Sequence, residues 1–185
     1  MQSIYLEIKD EEDGVFAISL VGSPAIEENF VALSKDEIEL KVIDEERRIV
    51  VGFALVPEKE ILRIKGDKKF NIKFTKETVS KTAELFMKNL NGANVTSEHK
   101  KPVMNCYVQE SWIVEDPKND KSNIWNLGAK GGEWVVMMKL TPEEFAKASD
   151  GVYKGYSIEG QYDGFDKLEQ SADDVLIEKI KDILK

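Results

Sequence analysis

Residues 134–144, Trp134-Val135-Val136-Met137-Met138-Lys139-Leu140-Thr141-Pro142-Glu143-Glu144, switch from strand to helix within a single residue. The first seven are an apolar run of strand length. Thr141 then supplies an N-cap, Pro142 takes the first helical position, and Glu144 completes a capping box. The helix this opens carries Phe145 and Ala148 on one face and stops at Asp150-Gly151. Tyr153 to Tyr162 resumes as a strand, with Ser157 inside it.

Upstream, strand patterns dominate. Residues 4–8 alternate, 15–21 follow a turn-prone Glu11-Glu12-Asp13-Gly14, and Gly22-Ser23-Pro24 breaks the run. Ile38, Leu40 and Val42 alternate up to a charged tip at 44–48, which leads into Ile49-Val50-Val51-Gly52-Phe53-Ala54-Leu55-Val56-Pro57. A short strand is expected at 60–64. Thr75 caps a predicted helix with Val79, Ala83, Phe86 and Leu90 at helical spacing, stopped by Asn91-Gly92. Further strands are expected at 94–98 and 104–115, joined by a turn at Pro102, with polar loops at 116–123 and 128–132. Ser171 opens a last amphipathic helix with Leu176, Ile180 and Leu184 at four-residue spacing. The sum is an α+β protein, mostly antiparallel. Residues 1–166 read as one β-rich domain and 167–185 as a C-terminal amphipathic helix.

Composition narrows the function classes. The chain has 185 residues and a formal net charge of −9, which argues against a general nucleic-acid binder. Cys106 is the only cysteine and His99 the only histidine. No intrachain disulfide can form, and the usual zinc sites of three or four His and Cys ligands cannot be built; no metal or other cofactor is expected. No signal-peptide pattern opens the chain, and no apolar run approaches the ~20 residues that span a bilayer. A soluble intracellular protein with no membrane partner is the expectation.

One candidate chemistry is nucleophilic. Ser157 lies in Gly155-Tyr156-Ser157-Ile158-Glu159-Gly160. A serine hydroxyl needs a base to take its proton, and His99 is the one imidazole that can do so. The motif is not a nucleophile elbow, because Ser157 follows a glycine turn into a strand rather than leading from a strand into a helix. The carboxylate that would orient the imidazole is left open among Glu110, Asp116 and Glu159. Glu159, two residues on, shares a strand face with Ser157, while Asp116 before Pro117 also suits a turn. Glu98 would face away from its neighbour on an extended strand. Cys106 sits in a core-like strand and behaves as a small apolar residue.

The blocks Glu110-Ser111-Trp112-Ile113-Val114-Glu115-Asp116-Pro117, Gly131-Gly132-Glu133-Trp134-Val135-Val136-Met137-Met138-Lys139 and Lys154-Gly155-Tyr156-Ser157-Ile158-Glu159-Gly160 resemble, in order and spacing, the XkdF-type phage serine proteases. Ser97-Glu98-His99, Val51 to Pro57 and Leu20 to Ile26 fit the same pattern, so the resemblance spans roughly residues 18–162. It implies a prohead maturation protease similar to the HK97-type prohead proteases and, more distantly, to herpesvirus assemblins. The implied fold is a β-barrel flanked by helices. The implied site has Ser157 as nucleophile and His99 as base; of the carboxylates left open above, Glu110 and Asp116 are the first to test. The implied partners are phage scaffold and major capsid proteins, with room for a homo-oligomer, inside the assembling procapsid in the host cytoplasm.

Two features depart from the assemblin pattern. Assemblins use a second histidine after the serine, and they place arginines there to help build the oxyanion hole. This chain has neither between 158 and 185. A carboxylate, or a plain Ser–His dyad, must therefore stand in. The alternative reading is a capsid-associated or scaffold-like structural protein that keeps the fold without the chemistry.

Overall fold

The computed structural model describes residues 3–22, 40–65 and 68–165. The expected C-terminal helix with Leu176, Ile180 and Leu184, the Ser23 to Ile26 end of the N-terminal block, and Ile38 lie outside the described residues. In chain order the elements are β1 (Ser3–Tyr5), β2 (Gly14–Val21), β3 (Lys41–Asp44), β4 (Ile49–Leu55), β5 (Ile61–Lys65), β6 (Lys68–Lys73), α1 (Lys76–Lys88), β7 (Val95–Ser97), β8 (Lys101–Pro102), β9 (Tyr107–Ile113), β10 (Trp134–Lys139), α2 (Pro142–Ser149) and β11 (Gly155–Gln161). Short 3₁₀ turns occupy Asn91–Ala93 and Lys121–Trp125.

The class is α+β and the pairing is mostly antiparallel; the two exceptions are β1 with β6 and β2 with β7. The expected barrel does not close among the described residues. The strands divide into three sheets, ordered β1-β6-β5, β3-β4-β10-β9 and β11-β2-β7-β8. Strands β4 and β10 are apolar on both faces and are covered on both. Val50, Ala54, Trp134, Val136 and Met138 join the main core, while Ile49, Val51, Phe53, Val135 and Met137 pack outward under Trp112, Trp125 and Leu127. The β11 sheet stacks on this sheet through side chains rather than continuing its ladder: the Tyr156 hydroxyl reaches the Val50 carbonyl at 3.3 Å.

Both helices start where their caps predict. Thr75 Oγ1 accepts the Thr78 amide at 3.1 Å, and Thr141 Oγ1 accepts the Glu144 amide at 3.3 Å. Helix α1 buries Val79, Ala83 and Phe86, and Phe86 meets Trp134 edge-on at 5.2 Å between ring centroids. Leu90 is not on this face; it adopts φ 58° just past the helix end and is 86% exposed. Strand β6 has no counterpart in the sequence reading, because Lys68-Lys69-Phe70-Asn71-Ile72-Lys73 offers only two apolar residues. Phe70 and Ile72 are buried, and Lys69, Asn71 and Lys73 alternate with them on the other face.

Candidate active site

Strand β2 is the middle of the sheet that carries the candidate residues. Its register places Ser19 opposite Ser157 of β11 on one side and opposite Thr96 of β7 on the other. Directly paired residues share a sheet face, with Cα atoms about 4.5–5.5 Å apart in antiparallel pairs. Alternation then sorts the side chains. Tyr156, Ile158, Ile18, Leu20 and Val95 enter the core. Ser157, Ser19, Thr96 and Glu159 occupy the opposite face. Ser157 and Ser19 are both fully buried.

His99 reaches that face from a tight turn. The expected strand at 94–98 ends at Ser97, and the chain reverses at Glu98-His99 rather than at Pro102. The Lys100 amide bonds the Ser97 carbonyl at 3.0 Å, and Glu98 and His99 have φ of 51° and 55°. Two consecutive residues in the left-handed region with an i to i+3 bond follow the type I′ hairpin pattern, which ordinarily selects Asn-Gly. Side chains held there cost roughly 1–3 kcal/mol each. The surroundings offset that cost. The Glu98 amide donates to the Leu20 carbonyl at 3.0 Å, the His99 amide donates to Ser19 Oγ at 3.0 Å, and Glu98 Oε1 accepts the Gly22 amide at 2.7 Å. Glu98 thus clamps the turn from outside the strand.

The imidazole meets Glu159. Nδ1 lies 3.1 Å from Glu159 Oε1, and their side chains are 1% and 9% exposed. A carboxylate in this place suits a ring protonated at Nδ1, the tautomer in which Nε2 can serve as a general base. Thr96 Oγ1 also donates to Glu159 Oε1, fixing the carboxylate from β7, across the intervening β2. Ser157 and Glu159 are two residues apart on one strand and share the face that the imidazole contacts through Glu159.

The other candidates are not brought to this patch. Glu110 lies on β9, an edge of the other four-stranded sheet, with its carboxylate on Lys121. Asp116 forms a turn: it accepts the Lys118 amide at 3.0 Å and Asn119 Nδ2 at 2.6 Å, and these bonds hold its carboxyl below the usual range. Cys106 is buried, and burial pushes its thiol up, away from a reactive thiolate. The Glu133 block is structural, its carboxylate accepting the Lys130 and Gly131 amides at 2.7 Å each.

Sequence reasoning passed over Ser19 and Thr96. A signal for Ser19 was present, since it is the one polar residue in Ala17-Ile18-Ser19-Leu20-Val21, and a buried hydroxyl needs a partner. It also passed over a network beside the turn, where the Tyr153 hydroxyl meets Glu144 Oε2 at 2.5 Å and Ser97 Oγ at 2.7 Å. The glycine that closes the serine motif has a steric cause. The β11–β2 register shifts between Glu159 and Gly160, and a Cβ at 160 would lie 2.6 Å from the Gly14 carbonyl oxygen.

A buried serine, an imidazole and a carboxylate over one face of a sheet are the side-chain types of a Ser-His-acid hydrolase. A family model described as "Putative phage serine protease XkdF" matches residues 37–166, and the chain belongs to that family. The match contains His99, Ser157 and Glu159, and begins after β2. Neither the curated proteins nor the solved structures yield a match.

Proposed function

We propose that this protein is a serine endopeptidase of phage prohead maturation, with Ser157 as nucleophile, His99 as general base and Glu159 as the orienting acid. The observation that carries the reading is the His99–Glu159 contact on the face of β11 that holds Ser157. Ser157 Oγ attacks the scissile carbonyl and its proton passes to His99 Nε2. Glu159 keeps Nδ1 protonated and stabilises the imidazolium. Collapse of the tetrahedral adduct breaks the C–N bond, and the imidazolium gives its proton to the leaving amine. Water, deprotonated by the same base, then releases the acyl group and restores Ser157. Glu159 replaces Glu110 and Asp116 in this role because the latter two are occupied elsewhere.

The substrates we propose are segments of the scaffold and major capsid proteins, and of the chain itself, inside the procapsid in the host cytoplasm. Kinship with the assemblin fold belongs to the same proposal. The full burial of Ser157 favours one competing reading, a structural capsid-associated protein with a silent site. Labelling with a fluorophosphonate separates the two. Label on the wild type that disappears in Ser157→Ala and in His99→Ala supports the protease. Label that persists in Ser157→Ala contradicts it, as does an absence of label even in assembled procapsids.

A further inference from the structure

We propose that Ser19 is a positioning residue of this site: through its hydroxyl, strand β2 holds the turn that aims the His99 imidazole at Ser157 and Glu159. This rests on the reading of His99 as the general base. In a type I′ turn the amide of the fourth residue closes the loop, while the amides of the two central residues have no acceptor within it. Here the Lys100 amide closes on Ser97, and both central amides find acceptors on β2: Glu98 on the Leu20 carbonyl and His99 on Ser19 Oγ. The first of these acceptors is backbone and would survive any substitution. The second is a side chain, and only a residue with an acceptor near Oγ can supply it.

The location of Ser19 reinforces its role. It stands in register with Ser157 and with Thr96, whose hydroxyl holds the Glu159 carboxylate. One residue thus sits between the nucleophile's strand and the base's hairpin and bonds directly to the base's own backbone. The family match runs over residues 37–166, so this contact comes from outside it. Removing the acceptor leaves the part-buried His99 amide unsatisfied in a residue already in a disfavoured conformation, and the turn relaxes by swinging the imidazole.

The test uses the full chain with Ser19→Ala and Ser19→Thr. Because His99 is the only histidine, its ring nitrogens give unambiguous ¹⁵N signals. In Ser19→Ala the His99 amide loses hydrogen-exchange protection, the Nδ1-protonated ring signature weakens, and the fluorophosphonate labelling rate falls roughly 10- to 100-fold. Ser19→Thr restores all three. If Ser19→Ala does not fold, Ser19→Cys, close in size but a weak acceptor, shows the same changes in lesser degree. A folded Ser19→Ala or Ser19→Cys with wild-type exchange, ring signals and labelling rate overturns the proposal. If Ser157→Ala still labels, the protease reading fails separately, and the exchange and ring signals continue to decide the role of Ser19.

Discussion

Glu159 is where the account of the site is most exposed to test. With the imidazole buried against it, replacing the carboxylate by an amide of equal size keeps the packing but removes the negative charge and adds an N–H donor, so the Nδ1 proton is no longer fixed. Glu159→Gln should lower the cleavage rate on the order of 10⁴-fold, the scale seen when a triad acid is made neutral. Glu110→Gln and Asp116→Asn should cleave at close to the wild-type rate, since one carboxylate pairs with Lys121 and the other holds a turn. Rates measured on one mapped peptide for all three variants check this. The contrast also shows what was legible in the chain. That Ser157 and Glu159 share a face follows from period-two alternation and could be read directly. That Glu159, rather than Glu110 or Asp116, faces His99 depends on β2 bringing together segments 60 residues apart, and no local pattern encodes that.

At the scale of elements, the caps and breakers were legible and the sheet edges were not. Thr75, Thr141 and Pro142 begin the two described helices where expected, because a cap is a local chemical preference. The turn at Glu98-His99 was misplaced to Pro102 because its sequence lacks the glycine or asparagine such a turn favours; contacts with β2 impose it instead. Strand β6 escaped because lysines hide its alternation. Gly160 gives the element scale its own prediction. A methyl at 160 would meet the Gly14 carbonyl oxygen at 2.6 Å, a backbone atom of the paired strand β2 that cannot rotate away. Gly160→Ala should therefore destabilise the protein by roughly 1–3 kcal/mol, as overpacking does, and lower Tm measurably in a thermal melt. An unchanged Tm would mean that the β11–β2 bulge is softer than its geometry implies.

Across the whole molecule, burial of proton-bearing side chains sets the response to alkali. Burial raises the Tyr156 and Tyr162 hydroxyls and the Cys106 thiol above their ordinary values. The native state therefore keeps these protons at pH values where the unfolded chain has released them. Stability should be fully present below the ordinary thiol range near 8.5 and should fall as pH rises through about 8.5–10 and beyond. Urea midpoints measured from pH 7 to 10.5 check this; a flat profile would contradict the burial.

The most direct test of the central claim is to co-incubate the chain with scaffold and capsid proteins of the same genome, free and assembled, and to map new termini by intact mass. The account predicts fragments that require Ser157, His99 and Glu159 and are indifferent to Glu110 and Asp116. Fragments that persist in Ser157→Ala, or none at all in assembled procapsids, would contradict it.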